Sequence, residues 1–299
     1  MRAAVILGLG CSPKDLKPFQ TEAAVEWRMG MPASPDDADV ILLFGGDGTI
    51  HRHLAQLVKL RLPVLVVPAG SGNDFASSLR LRRVSDSLTA WNQFCQGSSN
   101  LREIDLGVIS AVNQREVLSP PPHYFCCVAG VGLDGEVSRR ADKLPRWLRA
   151  HGGYALSLAP AIFTFSAFPM RILTPAEHTA SASADWAVRS DQPTLLAAFA
   201  NTPLYGGGMK IAPKAKMDDG LLDVCIVGGV NPLRLLRLFP TVYSGNHLKV
   251  REVEYFHATR VRVETHQPLD VYADGEYVCR TPVEISLQRK ALKVIAPTS

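Results

Sequence analysis

The chain has 299 residues, 46% of them hydrophobic and 20% charged, with a formal net charge of +4. That balance excludes a disordered or low-complexity protein and suits one large or two moderate domains with a buried core. The cations form no long Lys/Arg run and no basic ladder interleaved with aromatics, so they point to an anionic substrate or membrane surface and not to nucleic acid.

Ala3–Leu7 predicts a first buried strand, ending in the loop GLGCSP at 8–13. This is half of a dinucleotide fingerprint, because Pro13 stands where the third glycine is needed. Thr21–Trp27 predicts a short helix and Pro32–Asp39 a loop. Val40–Phe44 is a five-residue apolar run, as expected of a strand covered on both faces of a parallel sheet. It runs into Gly45, Gly46, Asp47, Gly48 and Thr49, and Ile50–Leu60 then follows at helical spacing. Glycines let the backbone approach a ligand, and the amides and dipole of a helix start favour an anion. A carboxylate among such amides suits a cation, an ordered water or a hydroxyl. The same residues also read as a tight strand-to-helix turn with Asp47 as its cap.

Pro63–Pro68 predicts a further buried strand, followed by the loop Gly70, Ser71, Gly72, Asn73. Two glycine loops at the same end of adjacent parallel strands would form one ligand crevice. A serine nucleophile elbow is disfavoured, since Ala69 occupies its first glycine position. Ser85–Gln96 predicts a helix and Gly97–Asn100 a break.

From Arg102 onward strand-like pieces follow one another: Glu103–Ile109, Tyr124–Ala129, Met170–Leu173, Trp186–Val188, Leu195–Asn201, Leu221–Val227, Arg260–Glu264 and Leu269–Ala273. Helical candidates are fewer, at 135–142, 153–166 and 232–244. A run of strands after an alternating segment argues for a second, β-rich, largely antiparallel domain with a boundary near 100. Gly130–Gly135 is a full GxGxxG, but no acidic strand end follows about 20 residues later, so a backbone turn positioning Asp134 is the better reading. Gly206–Gly208, with Lys210, Lys214 and Lys216, suits approach to an anion, and Asp218, Asp219 and Gly220 suit a turn able to hold Mg²⁺. Solvated lysines on a hairpin turn account for the same residues. Asp274, Gly275 and Glu276 place carboxylates at a strand end, or make an ordinary turn.

Six cysteines without CxxC spacing, mostly in apolar runs, read as reduced core residues of a cytosolic protein. Met1–Gly10 lacks the pattern of a secretory signal, and the apolar stretch Tyr154–Phe168 is short and contains Pro160. Lys143–Phe168, with Arg146, Trp147 and Arg149 ahead of the apolar run, reads either as an interfacial helix or as one buried on the second domain.

Taken in order, these motifs resemble the diacylglycerol-kinase catalytic family of bacterial lipid kinases, related to sphingosine and NAD kinases. The resemblance rests on GGDGT at 45–49, PAGSGNDFA at 68–76, AGVGLDGEV at 129–137, YGGGMKIAP at 205–213, DDGLLDV at 218–224 and DGE at 274–276. It implies an α/β ATP-binding domain over 1–102 and about 290–299, a β-rich lipid domain over 103–289, and a cleft between them. By position, Gly45, Gly46, Asp47, Gly48 and Thr49, with Gly70, Ser71, Gly72 and Asn73, match the nucleotide loops, and Glu276 matches the general base. Asp219, with the carbonyls of Lys216 and Leu221, matches a structural Mg²⁺ site. The family usually opens with an Asn-Pro-x-Ser-Gly loop, and GLGCSP departs from it. The expected function is phosphoryl transfer from ATP, with Mg²⁺, to a lipid bearing a free hydroxyl, by a cytoplasmic protein in peripheral contact with the inner membrane face, and a homodimer is compatible with it. The alternatives are a nucleotide or lipid sensor of the same fold without turnover and, with less support, an NAD kinase.

Overall fold

Apolar runs of four or five residues make the three inner strands of the first unit's sheet. The computed structural model describes residues 1–20, 25–112, 122–142, 153–176 and 186–298, and the chain divides into one unit of Met1–Leu106 with Arg289–Ser299 and another of Gly107–Gln288. In the first unit come β1 (Arg2–Leu7), α1 (Pro13–Leu16), β2 (Glu26–Met29), β3 (Val40–Gly45), α2 (Asp47–Leu60), β4 (Val64–Pro68), α3 (Asp74–Ser78) and α4 (Val84–Cys95). The strands lie in the order β2-β1-β3-β4, all parallel. Every residue of β3 is buried, as its uninterrupted apolar run requires of a central strand.

The helix expected over 21–27 is corrected at its described end. Glu26–Met29 is an edge strand paired with β1 from Arg2↔Glu26 to Val5↔Met29. Val25, Trp27 and Met29 alternate with Glu26 and Arg28, a period of two that overrides the helical reading. Trp27 packs on Trp91 of α4 at 5.6 Å between ring centroids. Two buried polar groups of α4 bond across the unit: Trp91 Nε1 donates to the Phe19 carbonyl at 3.1 Å and Ser87 Oγ to the Val66 carbonyl at 2.8 Å.

β5 (Leu101–Ala111) leads into the second unit, which continues with β6 (His123–Phe125), β7 (Val128–Gly132), α5 (Leu133–Asp142), α6 (Gly153–Thr164), β8 (Phe168–Pro175), β9 (Trp186–Ala200) and β10 (Leu222–Gly228). Then follow α7 (Pro232–Leu238), α8 (Thr241–Ser244), β11 (Val253–Ala258), β12 (Arg260–Thr265), β13 (Asp270–Ala273), β14 (Glu276–Arg280) and β15 (Val283–Ile295). The described pairings of β6 to β14 are antiparallel. At its end β15 enters the first unit, where Val294 pairs in parallel with Val64 of β4. The pieces expected at Trp186–Val188 and Leu195–Asn201 are one 15-residue strand, and Pro193 within it faces Pro169 of β8. The piece at Tyr124–Ala129 is instead two strands, broken at Cys126 and Cys127. The core of this unit joins Phe125, Phe199, Ile172, Val224, Val263 and Ile285 from six strands.

Among the described residues no helix is long and apolar enough to cross a membrane. Lys143, Arg146, Trp147 and Arg149 lie outside the described residues.

Candidate functional site

In the first unit the two glycine loops touch backbone to backbone. A Cβ on Gly46 would lie 2.3 Å from the Gly72 carbonyl oxygen, and one on Gly70 would lie 2.4 Å from the Gly46 Cα. No side chain fits at either position. The Asp47 amide donates to the Gly72 carbonyl at 3.0 Å. Its carboxylate reaches the start of α3, where Oδ2 accepts from the Asp74 amide at 3.0 Å and Oδ1 from the Phe75 amide at 3.1 Å. Asp47 therefore clamps the second loop to the first, capping a helix that is not its own. Asn73 closes that loop on itself: its Oδ1 accepts from the Gly70 amide at 3.1 Å and its Nδ2 donates to the Gly70 carbonyl at 2.7 Å.

Thr49 is buried, and its side chain fills the space beside Gly8 and Gly45, where a Cβ would approach it to 2.7 Å. The loop at 8–13 is joined to the same place, since the Gly8 amide donates to the Phe44 carbonyl at 2.7 Å. Ser71 is exposed. Among the described residues the amides of Gly46, Gly48, Ser71, Gly72 and Asn73 take no protein acceptor. A rigid turn with spare amides at the start of α2 is suited to an anion.

In the second unit Asp274 and Gly275 form the two-residue turn between β13 and β14, with φ of +50° and +85° and Ala273 opposite Glu276. Two left-handed residues match the twist of a hairpin, and Asp-Gly supplies them at little strain. The Asp274 carboxylate also accepts from the amides of Cys126 at 2.8 Å, Cys127 at 2.8 Å and Val128 at 3.3 Å, filling the break between β6 and β7. Asp274, Cys126 and Cys127 form the one cluster of potential metal-ligating side chains among the described residues. These amide bonds already occupy the carboxylate. Glu276, the first residue of β14, is exposed, and its placement is set by this anchored turn.

The DDG segment is a turn at Gly220, with φ +76°, in which Asp219 Oδ1 accepts from the Leu221 amide at 3.0 Å. Nearby, Asp223 is buried. Tyr255 Oη donates to its Oδ1, His257 Nε2 lies 3.1 Å from the same oxygen, and Oδ2 has no hydrogen-bond partner. Burial pushes the Asp223 carboxyl above its ordinary value against the hydrogen bond of Tyr255, and the charge of Asp219 adds to the rise. Two carboxylates that repel one another, one of them with an orphaned oxygen, offer the oxygen donors that Mg²⁺ takes.

An apolar cavity is lined from α5 to α8 and β9 to β11. Of its 18 lining residues only Asp134, His247 and Glu252 carry strongly polar side chains with charge to exchange. His247 is buried with Nε2 3.0 Å from the Ile211 carbonyl, and burial pushes the imidazole below its ordinary value, toward the neutral form. Arg234 and Arg251 hold Glu252 down to about 2 at the rim. Asp134 comes from the GxGxxG segment. That segment runs from β7, whose neighbours β9 and β13 are both antiparallel, so it is no βαβ dinucleotide turn. The structure brings the two sequence-predicted glycine loops together and leaves Glu276 exposed on its hairpin, whereas the anchoring by Asp274, the Asp223 group and the cavity have no counterpart in the sequence analysis. Asp274 had a signal in its Asp-Gly pair, whereas its three amides lie 146 to 148 residues away.

A parallel α/β unit with clamped glycine loops, together with an antiparallel β-rich unit, defines a kinase of the two-domain type found among lipid and NAD kinases. Residues 14–109 match the diacylglycerol kinase catalytic domain, and 127–296 match the YegS C-terminal NAD kinase beta sandwich-like domain. The chain belongs to this diacylglycerol kinase family. It is 33% identical over 265 residues to a diacylglycerol kinase of Mycobacterium tuberculosis, covering 87% of this chain and 77% of the relative. It is 27% identical over 262 residues to a diacylglycerol kinase of Bacillus subtilis, covering 87% and 78%. Among solved structures, a diacylglycerol kinase of Bacillus anthracis shares the fold at TM-score 0.64 and 17% identity, over 99% of this chain and 97% of that one. A yeast NADH kinase does so at TM-score 0.56 and 10% identity, over 100% and 84%.

Proposed function

We propose that the protein transfers the γ-phosphoryl group of ATP to the free hydroxyl of a diacylglycerol-like lipid. The observation that carries the lipid acceptor is the apolar cavity of the second unit, which suits acyl chains and offers a dinucleotide few partners. The names of the relatives agree, since both of the diacylglycerol kinases described above cover most of the chain. In phosphoryl transfer the protein supplies position and electrostatics more than covalent chemistry. The amides of Gly46, Gly48, Ser71, Gly72 and Asn73 would receive phosphate oxygens, in loops that Asp47 keeps from reorganising. Glu276 would take the proton of the lipid hydroxyl as its oxygen bonds to phosphorus and the bond to the ADP oxygen breaks. Asp219, with the carbonyls of Lys216 and Leu221, would hold Mg²⁺. Bound there, the ion would supply positive charge to these carboxylates, so adding Mg²⁺ should raise the melting temperature of wild type and not that of Asp219→Ala.

The deciding assay follows ³²P from ATP to diacylglycerol, phosphatidylglycerol, sphingoid bases or NAD, resolved by chromatography. Labelled phosphatidic acid is the expected product. Label on NAD alone would replace the acceptor, and no labelled product with any of them would leave a sensor of the same fold.

A further inference from the structure

The apolar cavity is covered on one side by α7 and α8, which join through Phe239 and Pro240 with helical backbone angles. Residues three or four apart therefore share a face. Leu235, Leu238, Phe239 and Val242 line the cavity. Leu233, Leu236 and Tyr243 do not, and are 68%, 43% and 45% exposed. Phe163, on α6 beside α7, is 55% exposed as well. The segment is apolar on two sides, and packing explains one of them.

Its charge is as uneven. Between Val230 and Glu252 the chain carries Arg234, Arg237, Lys249 and Arg251 against the single carboxylate Glu252. Glu252 takes both Arg234 and Arg251 at 3.0 Å. Arg237 and Lys249 are exposed and have no carboxylate partner among the described residues. Exposed leucines and a tyrosine with unpaired cations beside them are the composition of an interfacial helix, whose apolar face enters the acyl boundary while its cations meet anionic headgroups.

We propose that this face, with Leu233, Leu236 and Tyr243 at its centre and Arg237 and Lys249 beside them, docks on an anionic lipid bilayer. A lipid would then reach the cavity beneath without passing through water. The purpose of the surface rests on the lipid-kinase reading, but the docking itself is measured without turnover.

The test is co-sedimentation with vesicles of phosphatidylcholine alone or mixed equally with phosphatidylglycerol. Wild type should sediment with the mixed vesicles and stay in solution with phosphatidylcholine alone. Leu233→Ser with Leu236→Ser should lower partitioning by about tenfold or more, from the apolar surface withdrawn. Arg237→Glu with Lys249→Glu should remove the preference for phosphatidylglycerol. Leu233→Trp with Leu236→Trp should sediment at least as well as wild type, which separates lost apolarity from misfolding. Turnover on vesicle-borne dioleoylglycerol should fall with binding in the serine pair, while turnover on monomeric dihexanoylglycerol stays at the wild-type level. The proposal is overturned if the serine pair sediments like wild type, if wild type ignores the mixed vesicles, or if the serine pair loses turnover on the monomeric substrate. It is equally overturned if wild type is a dimer that the serine pair splits with vesicle binding unchanged, because the face would then belong to a second copy. Docking as expected with no lipid phosphorylated would reject the kinase reading and leave the surface standing.

Discussion

Each unit fixes its central turn with an aspartate that gathers distant amides, but the two reach very different distances along the chain. Asp47 takes the amides of Asp74 and Phe75, 27 and 28 residues ahead, within consecutive strand-loop-helix units. Asp274 takes those of Cys126, Cys127 and Val128, which are 146 to 148 residues behind it. The first clamp sits beside the spare amides of the two glycine loops, and its oxygens hold the start of α3 against them. The second holds a hairpin whose next residue, Glu276, is exposed. One aspartate ties two loops of the first unit together, and the other ties a hairpin to the break between β6 and β7.

The largest effect should follow from breaking the first clamp. Asp47→Ala orphans two amides at buried positions and loosens both glycine loops, so we expect a loss of turnover on the order of 10³-fold. Melting should report a loss of about 2 kcal/mol or more as well. Near-normal turnover in this variant would remove the clamp from the mechanism. Glu276→Gln comes next, with kcat down by about 10² to 10⁴-fold and KM for ATP unchanged. A normal kcat would assign the base elsewhere.

Asp274→Asn sharpens the contrast, because asparagine tolerates the left-handed turn yet turns an NH₂ toward amides that need an acceptor. Stability should drop by about 1 to 3 kcal/mol. If Asp274 aims Glu276, kcat should fall with KM for ATP held, and the double variant with Glu276→Gln should lose little beyond Glu276→Gln alone. Additive losses would reduce Asp274 to a structural anchor.

The smallest effect concerns Glu252, a carboxylate held chiefly by arginines. Arg234 and Arg251 lower it from 4.5 to about 2. A depressed folded value means that its contribution is complete above 4.5 and is lost as the pH falls toward about 2. Melting curves of wild type and Glu252→Gln should therefore differ at neutral pH and converge across that window, and a constant gap would show that the pairing is not what stabilises this region.

Much of the first unit was legible because its signals are local. An apolar run fixes a buried strand, and glycines behind it fix a turn. The exception is Glu26–Met29, an alternation of only four residues that begins within the helix expected over Thr21–Trp27, and its Trp27 suits either element. In the second unit the strands of strong apolar character were visible, whereas β11, β14 and much of β15 mix polar and apolar residues and gain their structure from neighbours across the sheet. Glu276 and the Asp-Gly turn could be found from a short motif. The partners of Asp274, the orphaned oxygen of Asp223 and the enclosure of His247 depend on residues brought together from remote positions, which no spacing rule encodes.

The passage of β15 into the first unit bears on how the protein is made. On the side away from β3, Val64 of β4 pairs with Val294, a residue synthesised after all of Gly107–Gln288. While the second unit is still emerging, β4 presents an unpaired edge of valines and a leucine, the kind of strand that recruits other chains. The first unit to leave the ribosome is thus the last to be finished, and the interval between the two is where a chaperone or a wrong partner would find it.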